Sequence, residues 1–167
     1  MKTSSFGIDL IKHFESLNDG DLSKIGLQPK KDCSGYYTVG WGHCLIKPDG
    51  TYCLTISDIE NYFPQYLTID ESYAEKLLQS DLVRFENNIT SLQLNINQNQ
   101  FDSLVSICLN IGFGNLRTST LIKRIRQIVN NPSIADCFAM WNKSKGVILK
   151  GLILRREAEA QLYYAQD

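Results

Sequence analysis

The sequence predicts an α+β fold: a leading helix, a small antiparallel sheet lobe, then a larger helical lobe, with a cleft where the two lobes meet. Three observations carry this expectation. Apolar residues recur at helical spacing at the start of the chain and again beyond residue 57. Residues 36–55 are instead rich in strand formers and turn residues. Between these patterns, residues 16–31 break every period with Asn18, Asp19, Gly20, Asp21, Gly26 and Pro29, which marks a loop. The 167 residues, 43% apolar and 21% charged, suit one domain with a sizeable core. Its β-containing lobe is expected over about 16–65, and its helical lobe from about 68 together with the first helix.

Each element has a local reason. Ser4 or Ser5 can cap a first helix carrying Phe6, Leu10, Ile11 and Phe14 about a turn apart. Tyr36 to Trp41 reads as a strand, Pro48-Asp49-Gly50 as a turn, and Thr51 to Thr55 as the returning partner. Thr68-Ile69-Asp70-Glu71 has the form of a capping box for a long helix with Leu78, Leu82, Phe85 and Ile89 on one side. Asn97 can cap the next, whose Phe101, Leu104, Val105, Cys108 and Leu109 form an apolar face. Ser119 to Val129 and Ser133 to Trp141 are two more helices, punctuated by Asn130-Asn131-Pro132. A last helix covers roughly Leu152 to Tyr164.

Composition excludes several classes of function. A net charge of −1 gives no pull towards nucleic acid. The second half is locally basic through Lys123, Arg124, Arg126, Lys143, Lys145, Lys150, Arg155 and Arg156. A solvated helix face accounts for that, and attraction to an anionic envelope polymer is the sharper reading. No stretch approaches the roughly 20 apolar residues of a membrane span, so no membrane insertion is expected. Residues 1–12 contain an acid and no long apolar run, unlike a secretory signal, so synthesis in the cytoplasm is expected. Five cysteines without a CxxC pair argue against a disulfide framework. Cys108 and Cys137 read as core residues, while Cys33, Cys44 and Cys53 surround the hairpin, where a bridge is conceivable. His13 and His43 are the only histidines, with no spaced ligand cluster, so neither metal nor cofactor is expected. A thiol dyad of His43 with Cys33 or Cys44 lacks an orienting third group.

Two acids and a hydroxyl stand out beside the hairpin. Glu15 ends the first helix, directly after Phe14. The negative end of the helix dipole and an apolar wall both disfavour ionisation there, as a general acid requires; a solvent-facing helix-end Glu is the plain alternative. Asp32 precedes Cys33-Ser34-Gly35 and would by itself be a turn former, as Thr38 would be an ordinary strand residue. The five residues between them allow a tight turn with both side chains near one mouth. A protonated carboxyl, an ionised one and a hydroxyl that orients water are the parts of a glycosidase. Asp19 and Asp21 are rival acids that read as loop-capping or solvated.

Leu10-Ile11-Lys12-His13-Phe14-Glu15 and Thr38-Val39-Gly40-Trp41-Gly42-His43 resemble the phage-type lysozymes of glycoside hydrolase family 24. The likeness continues through Asn99 to Val105 and Asn110-Ile111-Gly112. It ends with Trp141-Asn142-Lys143, Gly151-Leu152 and Arg155 to Glu159. The resemblance implies a lysozyme-like fold and a monomeric muramidase acting on bacterial peptidoglycan. Glu15 would be the acid, Asp32 the second carboxylate, Thr38 the water-placing hydroxyl, and Gln100 and Asn110 substrate contacts on a helix along the cleft. His43 reads as a substrate contact, an orienting group or a polar strand end. Arg155 and Arg156 are expected to pair with acids of the first helix. The commoner family spacing would put the second carboxylate at Lys24, so residues 16–31 contain an insertion that shapes the cleft mouth. A lytic transglycosylase, in which Glu15 acts almost alone, and a catalytically silent peptidoglycan-binding module are the competing readings. Such an enzyme would reach the cell wall or periplasm after release from the cytoplasm.

Overall fold

The computed structural model describes residues 1–32 and 34–166 of the chain, and its fold is α+β. Two compact units emerge, one made of residues 15–81 and the other of residues 1–14 together with residues 82–167. Helix α3 (Glu71–Ser91) contributes its first half to the one and its second half to the other.

The first unit contains the small sheet. Strands β1 (Lys30–Lys31), β2 (Tyr37–Val39) and β3 (His43–Cys44) pair antiparallel in the order β1-β2-β3. Lys30 lies opposite Thr38 and Lys31 opposite Tyr37, while Thr38 faces Cys44 and Val39 faces His43 across the next ladder. The expected loop over 16–31 therefore ends in a strand, whose two lysines carry no sheet-forming signal of their own. The expected partner strand over Thr51 to Thr55 shrinks to a bridge between Ile46 and Tyr52. Its backbone still returns along the hairpin, since Cys53 N donates to Leu45 O at 2.9 Å and Lys47 N to Thr51 O at 2.7 Å. Asp49 closes the intervening turn by accepting from Thr51 N at 2.9 Å. Gly40 bends the chain with φ +60, and a Cβ there would meet the Ala74 side chain at 2.8 Å, so only glycine lets β2 approach α3 this closely. Helix α2 (Ile56–Tyr62) opens on a capping box between Thr55 and Asp58 and leads into a 3₁₀ turn, Pro64–Tyr66. For α3 the cap is Asp70, which accepts from Tyr73 N at 2.6 Å; the Thr68 hydroxyl donates instead to Leu67 O, so the expected box is not formed.

The second unit is a helical bundle around α4 (Gln98–Ile111). With it stand α1 (Ser5–Glu15, to Phe14), α5 (Phe113–Thr118), α6 (Thr120–Gln127), α7 (Ile134–Ala139) and α8 (Lys150–Tyr164). A short hairpin of β4 (Lys143–Ser144) and β5 (Val147–Ile148), turning through Lys145 and Gly146 at positive φ, precedes α8. Every residue of α4 from Gln100 to Cys108 is buried, so its polar side chains must be satisfied inside. Asp102 accepts from Ser4 N at 3.1 Å, from the Ser4 hydroxyl, and from Gln98 Nε2 at 2.8 Å. That contact pins the start of α1 so tightly that a Cβ on Gly7 would lie 2.7 Å from the Asp102 carboxyl carbon. It also turns Phe6, expected on the apolar stripe, out to 71% exposure, leaving Gly7 and Ile11 as the buried face.

Ser106, one turn further along α4, donates to Glu159 Oε1 at 2.7 Å. Arg155 Nε at 3.2 Å and Arg156 NH2 at 3.0 Å also reach Glu159 Oε1, and Arg156 Nε lies 2.8 Å from Oε2. Arg155 and Arg156 thus belong to the core and not to a basic surface, and Arg156 pairs within its own helix, not with α1. Burial pushes the Glu159 carboxyl up and the Arg156 guanidinium down, each partly offset by its opposite charge. Cys108 and Cys137 are core thiols as expected, and burial pushes the Cys108 thiol up to about 11. Cys33, one partner of the conceivable hairpin bridge, lies outside the described residues. Among those residues no helix is long and apolar enough to cross a membrane.

Glu159→Ala should destabilise the protein by about 3–5 kcal/mol, because it strands a buried guanidinium without its counter-charge. Urea unfolding of the two proteins checks this, and a loss below about 1 kcal/mol would mean that α8 relaxes to let water in.

Candidate active site

Three expected site residues, Glu15, Asp32 and Thr38, fall in one unit. Glu15 is the last residue of α1, half-buried, and Ser16 ends the helix after it by taking a left-handed φ of +57. Phe14 immediately before it lies against the guanidinium of Arg155, 5.8 Å from ring centroid to Cζ. The core network around Glu159 therefore extends, through Arg155, to the C-terminal turn of α1.

Asp32 sits where β1 turns towards β2. One carboxylate oxygen, Oδ1, accepts from Ser34 N at 2.8 Å and from Tyr36 N at 3.0 Å. Backbone bonds from Asp32 N to Tyr36 O and from Gly35 N to Asp32 O close the same turn. The turn-forming and the catalytic readings of this aspartate are therefore compatible, because Oδ2 takes no hydrogen bond from any described residue. The loop fixes the side chain through Oδ1.

Thr38 is buried in β2, and both functions of its hydroxyl are engaged. Its proton goes to Lys30 O at 3.2 Å, and its oxygen accepts from Asn18 Nδ2 at 3.0 Å. With its only proton donated to the backbone, the hydroxyl can meet a further molecule only through its second lone pair. A water there would donate to Thr38 and keep its own lone pair pointing away. The register places Lys30 opposite Thr38, so by strand alternation Asp32 and Thr38 lie on one face of the ribbon, a diagonal step apart. Asn18 had no sequence signal beyond that of a loop breaker. Its backbone N–H to Gly40 O at 2.9 Å anchors it beside β2.

The other expected residues part company. His43 lies opposite Val39, which puts its side chain on the face away from Thr38. There Nδ1 lies 2.9 Å from Asp81 Oδ2, with the ring edge-on to Tyr66 at 5.7 Å, so the histidine ties the sheet to α3. Gln100 is buried and spends both polar ends locally: Oε1 accepts from Asn97 N at 3.0 Å and Nε2 donates to Asn130 Oδ1 at 2.9 Å. It completes the capping box of α4 and lies buried in the bundle. Asn110 is exposed near the end of α4, beside a pocket of about 360 Å³ walled by Trp141, Lys143, Leu149 and Leu152. Asp19 accepts from Asp21 N at 3.2 Å and Gln28 N at 3.4 Å, a loop-capping role. Asp21 is held below the ordinary carboxylate range by the Ser23 hydroxyl and by Lys24 at 3.2 Å. Among the described residues no three His, Cys, Asp or Glu side chains gather as a metal site would.

The profile described as Phage lysozyme matches residues 22–159. An endolysin of Bacillus phage B103 is 35% identical over 164 residues, 98% of this chain; the chain spans about half, 54%, of that protein's length. The solved structure of an endolysin from Escherichia coli O157:H7 phage FAHEc1 superposes with a TM-score of 0.76 at 31% identity, over 98% of this chain and 94% of that one. The muramidase domain of SpmX from Asticaccaulis excentricus superposes with a TM-score of 0.75 at 26% identity, covering 99% of both chains.

Asp32→Asn should preserve the turn, since an amide oxygen accepts the same two N–H groups, whereas Asp32→Ala should release it. Hydrogen exchange at the Ser34 and Tyr36 amides measures this: protection near that of the natural protein in the first variant and at least tenfold faster exchange in the second, matching a loss of about 1.4 kcal/mol. Equal exchange in both variants would show that the carboxylate does not hold the turn.

Proposed function

We propose that this chain, which belongs to the phage lysozyme family, hydrolyses the β-1,4 bond between N-acetylmuramic acid and N-acetylglucosamine in bacterial peptidoglycan. The observation that carries the reading is the ribbon face on which Asp32 Oδ2, free of hydrogen bonds from the described residues, shares a side with a hydroxyl whose proton is already committed. Such a pair can hold a water with its lone pair outward, which is what hydrolysis of a glycoside needs.

Glu15 donates its proton to the glycosidic oxygen as the bond to the anomeric carbon breaks. Positive charge then grows on that carbon and its ring oxygen, and the Asp32 carboxylate stabilises it. The water on Thr38 attacks, and its proton passes to Asp32. Asn18 acts indirectly by fixing the Thr38 hydroxyl. Asn110, on the exposed end of α4, contacts the glycan. Asp32 and Thr38 favour water over the substrate's own hydroxyl as the attacking group, which disfavours the lytic transglycosylase reading. The whole of residues 1–167 acts as one muramidase domain, a monomer that meets the cell wall after release from the cell that makes it. The family membership and the likeness to a muramidase domain both support this setting.

Lysis of purified cell walls, followed by loss of turbidity, tests the assignment of the second carboxylate. Asp32→Asn should lower the rate by about 10²–10⁴-fold, while Asp19→Asn and Asp21→Asn should stay within about twofold of the natural protein. A sensitive Asp19 or Asp21 with an indifferent Asp32 would overturn it. Dialysis against a strong chelator should leave the rate unchanged, because proton transfer and not a Lewis acid drives the cleavage; a loss that zinc restores would contradict the mechanism.

A further inference from the structure

The pairings of the small sheet gather several side chains on the side that carries Asp32. Thr38 lies opposite Lys30 and Cys44. Asp32 continues the first of these ladders, its N–H donating to Tyr36 O at 2.9 Å, and Ile46 bridges to Tyr52. Side chains alternate along an extended chain, and paired residues point the same way. Asp32, Tyr36, Thr38, Cys44, Ile46 and Tyr52 therefore share one face. Val39, Leu45 and Cys53 take the other and are completely enclosed, so the apolar core of this unit lies behind the sheet. The Asp32 face is its open side, with Cys44 exposed, Ile46 46% exposed and Tyr52 38% exposed.

On that open side the rings of Tyr36 and Tyr52 stack, with centroids 4.2 Å apart and planes 15° from parallel. The pair is tied to the candidate carboxylate, because Tyr36 N also donates to Asp32 Oδ1 at 3.0 Å. Among the described residues no third ring and no cation meets either tyrosine, and neither phenol oxygen has a hydrogen-bond partner. Ile46, the bridge partner of Tyr52, extends the apolar strip. Rings stacked on the solvent side add little to the core behind the sheet, and contiguous exposed apolar surface marks a binding groove.

We infer that the Tyr36–Tyr52 stack, with Ile46, is a sugar platform for the part of the glycan strand that runs on from Asp32: a β-1,4-linked chain of N-acetylated pyranoses. The inference rests on the muramidase reading, since it extends the binding of the same glycan away from the bond that is cut. A pyranose presents C–H groups on its flat face, which pack on an aromatic ring, and hydroxyl and acetamido groups at its edge, which can bond to the phenol tips. The side chains of the platform carry no charge, so it suits sugar rings better than the charged peptide stems of the same polymer. Its continuity with Asp32 means that a strand engaged there meets the tyrosines without a bend of the protein.

The test is a titration of the full ¹⁵N-labelled chain, carrying Glu15→Gln to prevent cleavage, with the tetramer of β-1,4-linked N-acetylglucosamine. Saturable shifts should appear at the amides of Tyr36, Ile46 and Tyr52. Tyr52→Ala should weaken binding about fivefold or more, while Tyr52→Trp, which keeps a ring, should bind within about twofold of the parent. With Glu15 restored, release of reducing ends from peptide-free peptidoglycan strands should show KM raised about fivefold by Tyr52→Ala and kcat within about twofold, because the ring binds substrate and takes no part in the chemistry. Absence of shifts at these three amides, equal affinity in Tyr52→Ala, an equal loss in Tyr52→Trp, or a fall in kcat at unchanged KM would overturn the proposal. So would the free peptide L-alanyl-γ-D-glutamyl-L-lysyl-D-alanine moving the same amides as strongly. The two readings fail differently: without muramidase activity the natural protein releases no reducing ends, whereas failure of the platform alone leaves that release intact and KM unchanged in Tyr52→Ala.

Discussion

The burial of α4 on every side is the constraint from which the helical unit follows. A helix with Asp102, Ser103 and Ser106 in its sealed stretch is stable only if each polar group finds a partner. Ser103 turns back on its own helix, to Asn99 O at 2.9 Å. Asp102 is answered by Ser4 at the start of α1, and Ser106 by Glu159 on α8. Those two answers determine which helices lie against α4, and at what height. Gly7 lets α1 settle onto Asp102, and Arg155, held by Glu159, reaches Phe14 at the far end of the same helix. Glu15 is the next residue. Helix α1 up to Phe14 is thus gripped near both ends by the way the core satisfies buried charge.

The small sheet meets a different demand with few residues. Its strands are only two or three residues long, too short to be stable by themselves. Side-chain bonds do much of the work: Asn18 to Thr38, Thr38 to Lys30, Asp32 to its own turn, and His43 to Asp81. The strand period then gives β2 two uses. Thr38 presents its hydroxyl on the face shared with Asp32, while Tyr37 walls, on the other face, a pocket it shares with Gln28, Pro29 and Leu67. A change in register by one residue would exchange these faces and remove both, which explains why so short a strand is pinned from both edges.

What could be read from the sequence was whatever depends on neighbours along the chain. The Asn97–Gln100 capping box, the run of Leu78, Leu82, Phe85 and Ile89, and the turn around Asp49 all rest on spacings of two to four residues. Distant pairings were hidden. Lys30–Lys31 is a strand only because Tyr37 and Thr38 pair with it. Arg155 and Arg156 look like surface charge until Ser106, on another helix, joins Glu159 beside them. Asn18 and Asp81 carried no signal, since their partners lie 20 and 38 residues away. Phe6 was misplaced because a periodic stripe cannot reveal that Gly7, the smallest residue, marks the contact face. Gln100 showed the opposite error: a residue taken for a substrate contact proved to be a cap, and the Asn97–Gln100 spacing already contained that reading.

The account turns on Glu15 as the proton donor and on water as the group that replaces the leaving sugar. Purified cell walls digested in ¹⁸O-labelled water, with soluble fragments read by mass spectrometry, address both at once. The natural protein should release fragments ending in reducing N-acetylmuramic acid that carries the label. Glu15→Gln, folded by circular dichroism, should release none above background. Unlabelled anhydro ends, reducing N-acetylglucosamine ends, or equal release by Glu15→Gln would contradict the account.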